Sequence, residues 1–386
     1  MLRSLAAVMM IALAQTAFGG EYSFTVVAEG WGHVDGFSYS VGPPVMGEDG
    51  LIYFPGRKVR GAEETWALFA ADEASIETVY DAGNRFSWIS TIAINGKREI
   101  AFSAETRSGY RGVYKTDGGA LLTLAETDDP AWEYGMPDIN AAGQVAFMKS
   151  YRYWPGPDPV TVFRGDGVGP LTTIEDWGVQ YGVPSIDDAG NVAFAGKTPA
   201  GTYGEFVGDG SQPVLHYESK ERLSSPTLLN DGTLIFRTPD EVLLAKDGST
   251  QVLADKSQGI MAMTGVNMPP AYTESGNFVF MGERGGPLSG IGFFTGPNTL
   301  TDHIAAMYDP MLGGYISMIS SWSPVNERGQ VALWMNVTMP GGWSREYLVR
   351  ADPLPLPEPA TSMLAGIAVG LMAVNRGRLR WRARAG

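Results

Sequence analysis

Three histidines, many paired carboxylates and no cysteine bound the chemistry open to these 386 residues. Without cysteine there is no disulfide scaffold, no thiolate zinc site and no cysteine nucleophile. His33, His216 and His303 fall in no H-E-x-x-H spacing and beside no obvious nucleophile. His33 lies in the loop-like Trp31-Gly32-His33-Val34-Asp35. His216 sits in an apolar alternation, Pro213 to Tyr217, which predicts a packed strand position. No G-x-S-x-G elbow or Gly-rich phosphate loop opens a helix. Two carboxylates can cut a glycosidic bond, and Asp128-Asp129, Glu175-Asp176 and Asp187-Asp188 supply pairs. An acidic chain holds such pairs by chance, and solvated turns explain them. Asp187-Asp188-Ala189-Gly190 and Asn230-Asp231-Gly232 lack the ligand series and terminal Glu of a calcium loop. The expectation is therefore no catalytic residue, no metal ligand and no cofactor, with calcium the one ion the negative charge favours.

Residues suited to recognition are the aromatics that stand beside carboxylates. Trp132 and Trp177 recur in Asp128-Asp129-Pro130-Ala131-Trp132-Glu133-Tyr134-Gly135 and Glu175-Asp176-Trp177-Gly178-Val179-Gln180-Tyr181-Gly182. Tyr151, Tyr153 and Trp154 cluster before Pro155, and Trp343 follows Gly341-Gly342. Such side chains suit sugar stacking or a protein partner.

What positions them is a repeat. Gly50, Gly96, Gly143, Gly190, Gly232, Gly276 and Gly329 each open a short apolar phrase such as GQVAF or GNVAF, at spacings of 46, 47, 47, 42, 44 and 53. In six of the seven, apolar residues stand two and four places after the glycine, on one strand face, with an apolar residue between them. A strand buried on both faces needs such a run. The second copy carries two extra residues before Ile100-Ala101-Phe102. Asn140, Asp187, Asn230 and Asn326 precede the glycine as turn formers. Pro137-Asp138-Ile139-Asn140 then reads as one strand and Gln144 to Lys149 as its hairpin partner. A second hairpin follows, turned by Asp-Gly at 117–118, 166–167, 209–210 and 247–248. Four antiparallel strands in about 46 residues make one propeller blade.

The expected fold is all-β: a seven-bladed β-propeller over residues 20–352. The last unit lacks a fourth strand, and Tyr22–Ala28 has no partner at the other end. That N-terminal strand is expected to complete the last blade beside Tyr347–Arg350. The Asn-x-x-Gly and Asp-Gly turns then share one face. The links between blades and the second-to-third-strand loops share the other, which gathers the aromatics and is called the link face below.

The ends lie outside the ring. Residues 1–19 read as a signal peptide: Arg3, an apolar run from Leu5 to Ala14, and small residues at Ala17 and Gly19. This implies passage through the Sec translocon. Residues 353–359 are a Pro-rich linker, and 360–386 hold an uncharged stretch and then Arg376, Arg378, Arg380, Arg382 and Arg384. As a helix, Ala360 to Val374 would be about 22 Å long, a marginal anchor against a roughly 30 Å hydrocarbon core. The arginines should stay cytoplasmic. The 42 acidic and 28 basic residues give a net charge of −14, which argues against nucleic acid as partner. Without Arg3 and the five tail arginines, 22 basic residues remain against 42 acidic, a charge of −20.

Pro357-Glu358-Pro359, the short apolar stretch and the Arg-rich end resemble the PEP-CTERM sorting signal of exported Gram-negative proteins. The resemblance implies cleavage by an exosortase after transient inner-membrane anchoring, then delivery to the cell surface or the exopolysaccharide matrix. The repeats, best kept in Asn140–Phe147 and Asp187–Phe194, resemble the NxxGxxAF tandem-repeat proteins. That resemblance brings no catalytic residue. The sequence thus points to an exported, non-catalytic binding or structural module whose partner is an exopolysaccharide or another surface protein. The alternative is a glycoside hydrolase or lyase on the same scaffold, with carboxylates in the central funnel.

Overall fold

The computed structural model describes residues 22–29, 37–38, 43–60, 63–151, 160–176, 182–262, 268–285, 289–298, 301–322 and 324–354. They form seven antiparallel sheets in a propeller arrangement. Blade 2 holds Phe86–Ile94, Ile100–Thr106, Arg111–Thr116 and Leu121–Thr127. Blade 3 holds Trp132–Ile139, Val145–Tyr151, Thr161–Gly165 and Thr172–Glu175. Blades 4 and 5 repeat the pattern from Ser185 to Asp255, and blade 6 from Ile260 to Ala306. Blade 1 runs from Phe37 to Asp81, and blade 7 takes Gly314–Ser320, Val331–Thr338 and Ser344–Pro353. The N-terminal strand Tyr22–Glu29 lies beside Ser344–Pro353, so the first strand completes the last blade as the unpaired Tyr22–Ala28 segment predicted. Ser23 Oγ donates to the carbonyl of Asp352 at 3.4 Å, and Glu29 pairs with Arg345 at the other end. Residues 1–19, read above as a signal peptide, and residues 355–386 lie outside the described residues.

The Ala-Phe dipeptide sets how blades stack. Adjacent strand residues point to opposite sheet faces. Phe102, Phe147, Phe194, Phe236 and Phe280 each enter the apolar cluster shared with the preceding blade. Their neighbours Ala101, Ala146, Ala193, Ile235 and Val279 enter the cluster shared with the following blade. Phe54 and Leu333 do as the phenylalanines do, and Tyr53 and Ala332 as the alanines. Seven buried clusters result, one at each blade junction. Ala28 joins the last of them, against Phe54 and Phe69 of blade 1.

A second device holds the ring together at the Asn-x-x-Gly turns. All seven turns share one backbone pattern, in which the fourth residue's N–H donates to the first residue's carbonyl, as from Gly143 to Asn140 at 2.9 Å. The fourth residue takes a left-handed φ, 84° at Gly143. Neighbouring turns are then hydrogen-bonded. Asn95 Nδ2 donates to the carbonyl of Asn140 at 3.0 Å, and Asn140 Nδ2 to that of Asp187 at 2.8 Å. Asp188 and Asn230 exchange two bonds, and Asn230 N–H donates to Glu274 at 2.8 Å. Glu274 and Ser275 N–H donate to Glu327 at 2.9 Å, and Asn326 Nδ2 to the carbonyl of Gly47 at 3.0 Å. Arg98 pairs with Asp49 at 2.9 Å and closes the circle.

Blade 2 corrects the reading of the repeat. Its turn runs Asn95-Gly96-Lys97-Arg98, and Arg98, not Gly96, takes the left-handed position at φ 64°. Asn95 to Phe102 is therefore a regular copy with Arg in place of Gly and no extra residues. His216 is also misread: it is exposed, because Val214–Ser219 is the outermost strand of blade 4. Pro137 to Asn140 is only the end of a longer inner strand that begins at Trp132.

Candidate functional site

The inner strands of blades 2 and 3 reach the link face irregularly, and a cleft of about 470 Å³ opens between them. In blade 2, Ile89 pairs with Ala104 and Ile92 with Phe102, so Ser90 and Thr91 together face Ser103. A second irregularity leaves Ser87 between the Phe86–Thr106 and Trp88–Glu105 pairs. In blade 3 the register breaks between Gly135 and Asp138, and Met136 adopts φ 53°, uncommon for a side-chain-bearing residue. Bulges of this kind re-aim side chains. Here they bring three hydroxyls together: Ser103 Oγ lies 2.7 Å from Ser90 Oγ and 2.6 Å from Thr91 Oγ1.

Aromatic rings wall the cleft. Trp88 is 48% exposed, and its indole lies 5.3 Å from the buried ring of Trp66. Trp66 is itself fixed by a 2.7 Å bond from Nε1 to the carbonyl of Ser87. Tyr134 packs edge-on to Phe147 at 6.0 Å, and burial pushes its phenol pKa up, so its hydroxyl keeps its proton at neutral pH. The lining also holds Glu105, Glu133 and Arg111, with Arg111 Nε 3.0 Å from Glu105. Met136 and Met148 add apolar surface.

The sequence-predicted aromatics divide. Trp132 and Tyr151 face each other across the blade 3 pair, edge to face at 5.5 Å. Lys149 Nζ stands 5.0 Å from the Trp132 ring and 5.6 Å from Tyr134. Trp132 and Tyr134 belong to the inner strand, not to a link, and are half-buried. Trp343 is exposed on blade 7 with Arg345 at 4.8 Å, apart from the residues that line the cleft. Tyr308 and Tyr315 form another exposed pair near it in sequence, stacked at 6.3 Å. Tyr153, Trp154, Trp177, Pro357, Glu358, Pro359, Arg376, Arg378, Arg380, Arg382 and Arg384 lie outside the described residues.

Sequence reasoning missed Trp88, the Ser90–Thr91–Ser103 set and Arg111. One signal was present: in Phe86-Ser87-Trp88-Ile89-Ser90-Thr91-Ile92 the buried apolar residues recur every third place, not every second. That spacing marks a bulged strand.

The paired carboxylates have other work. Asp187 and Asp188 belong to the turn ring, Asp187 accepting from Asn191 N–H at 2.7 Å. Asp129 closes a turn on Ala131 N–H at 2.9 Å. Among the described residues no group of three His, Asp or Glu could hold a metal ion. The buried His303 contacts Asp309 at 3.3 Å, which also receives Arg284 at 2.9 Å. Burial alone would raise the Asp309 pKa, but the His303 hydrogen bond and the Arg284 charge together outweigh it and hold the pKa low.

No family model matches the sequence, and no curated protein matches it. Solved structures do. A puromycin-hydrolysing peptidase of Mycobacterium tuberculosis is similar at 13% identity and a TM-score of 0.52 over 82% of this chain. The chain spans about half of that peptidase, 52% of its length. YCF48 from Cyanidioschyzon merolae is similar at 9% identity and a TM-score of 0.45, covering 86% of this chain and all of that one. TolB from Acinetobacter baumannii follows at 14% identity and 0.39, covering 76% of this chain and 78% of that one. At these identities the likeness concerns the fold, and a propeller hosts many functions.

Proposed function

We propose that the chain is an exported binding module, delivered to the cell surface or matrix, that meets its ligand on the link face without catalysis. The observation that carries this reading is the aromatic-walled cleft on the face opposite the ends of the described ring. The cleft opens on the link face, whereas Tyr22 and Asp352 sit together at the Asn-x-x-Gly end of blade 7. The first described strand thus begins, and the last one ends, on the face opposite the cleft. The signal peptide, Pro357-Glu358-Pro359 and the five tail arginines support delivery through the Sec translocon and an exosortase. The second reading is a polysaccharide hydrolase or lyase. It is favoured by Glu105 and Glu133 sharing one aromatic-walled cleft, and disfavoured by the ion pair that holds Glu105 to Arg111.

The absence of cysteine gives a direct test. Ser108 is exposed in a link-face turn, so Ser108→Cys reports access to that face. Intact cells carrying the full chain should label with a membrane-impermeant maleimide and retain extracellular polysaccharide. Labelling only after lysis would overturn export, and release of sugar fragments would favour the hydrolase.

A further inference from the structure

We infer that the cleft between blades 2 and 3 is a subsite for one neutral sugar ring of a polysaccharide, stacked on Trp88 and hydrogen-bonded by Ser90, Thr91 and Ser103. The inference rests on the binding-module reading and narrows it to a ligand class.

Trp88 leaves nearly half its surface in water, while the buried Trp66 ring packs against it at 5.3 Å with a 59° tilt. A ring so backed loses little freedom when a ligand covers it. The C–H face of a pyranose is apolar and flat enough to lie on such an indole, while its rim carries hydroxyls. The cleft supplies the complement. Each of its three clustered hydroxyls has one proton and two lone pairs. The two short contacts at Ser103 Oγ and the 3.4 Å bond from Ser90 Oγ to the Ser103 carbonyl can engage all three protons and leave acceptor sites over. Hydroxyls reverse donor and acceptor by rotation, which suits sugar hydroxyls that do both. The volume of about 470 Å³ falls in the range of small-ligand sites.

Charge selects among sugars. Glu105, Glu133 and Arg111 leave the lining with one more carboxylate than cation, and Arg111 is already paired with Glu105. The chain between the signal and the tail arginines carries −20. A uronate or sulfated chain would enter against that field. This charge favours a neutral glycan.

The test uses the full chain in mild detergent. It is passed over immobilised neutral glucan, mannan and galactan oligosaccharides, alginate oligomers, an arrayed peptide library and the cells' own matrix polysaccharide. At least one neutral oligosaccharide should bind, and Trp88→Ala should weaken it roughly tenfold or more. Ser103→Ala should weaken it several-fold, and Trp343→Ala should leave it unchanged. Trp88 is half-exposed, so its variant should melt with the wild type; Ser90→Ala serves as a second cleft variant. Binding to alginate or peptide alone, or equal binding by wild type and Trp88→Ala, overturns the inference. If the matrix still binds in that last case, the binding-module reading survives; if the wild type binds nothing, both fall.

Discussion

Glu205 should make this propeller less stable as pH rises, and one substitution should abolish the effect. The residue is wholly buried on Tyr203–Gly208 of blade 4, between Ala195 and Tyr217 on the neighbouring strands. By strand alternation it shares a face with Tyr203 and Val207, which pack on Leu223, Leu234 and Phe236 at the junction with blade 5. Neither carboxylate oxygen has a hydrogen-bond partner among the described residues. Burial pushes its pKa well above the ordinary 4.5, so the folded chain keeps a proton that the unfolded chain releases. Above the unfolded pKa the folded state binds one proton more, and stability falls by about 1.4 kcal/mol per pH unit until the folded pKa is reached. This stability is complete below the unfolded pKa and lost as pH rises through the folded one. Glu205→Met keeps an unbranched side chain and removes the polar atoms, whose orphaning costs about 1–3 kcal/mol. The variant should be the more stable protein at pH 7. Its advantage should shrink by about 1.4 kcal/mol for each unit of acidification toward pH 5. Urea unfolding of both proteins across this range measures the difference directly. A constant difference from pH 5 to pH 8, or a less stable Met variant at pH 7, would refute the reasoning.

Three further outcomes follow from the ring. Asn140→Ala removes the acceptor of Gln144 N–H and one of the two donors to the Asp187 carbonyl, which keeps Gly190 N–H; the change should cost about 1–3 kcal/mol, read as a lower urea midpoint at unchanged slope. Arg98→Gly relieves a left-handed arginine, worth about 1–2 kcal/mol, against the loss of an exposed pair worth about 0–1 kcal/mol, so a thermal melt should shift upward or stay level. Deleting Tyr22–Glu29 strips the outer strand from blade 7 and removes Ala28 from the last junction; light scattering and melting should show aggregation and a broadened transition.

The ring was legible because each blade obeys the same two local rules. A left-handed turn residue and a Phe beside a small residue are both visible one-dimensionally, and each has one structural solution. Closure by Tyr22–Glu29 was legible by counting, since one strand was missing at one end and spare at the other. Arg98 hid a copy because the turn needs a conformation, not a glycine as such, and its pair with Asp49 lies a whole blade away in sequence. The cleft was hidden for a related reason. Ser90, Thr91 and Ser103 come from two strands, and only a broken register sets two residues against one. Trp132 and Tyr151 were found as residues, but their mutual contact depends on strand pairing that begins earlier than the Pro137 signal suggested.

The two faces of the ring divide the work by what their backbone is free to do. At the Asn-x-x-Gly end, side chains and N–H groups are spent on the neighbouring turn. Substitution there meets a packed and bonded partner: a Cβ on Gly143 would stand 2.7 Å from a carboxylate oxygen of Glu99. On the link face, by contrast, inner strands break register and an indole stays exposed. These features cost stability and give the ring nothing that its seven junctions lack. Broken register and an exposed aromatic ring at one end of a regular scaffold are what a recognition surface requires. If the cleft were merely a packing defect, filling it would stabilise the ring without consequence. Ser103→Leu is the discriminating change: a site for sugar loses binding whatever happens to the melting temperature, whereas a defect gains stability and leaves sugar retention by displayed cells as it was.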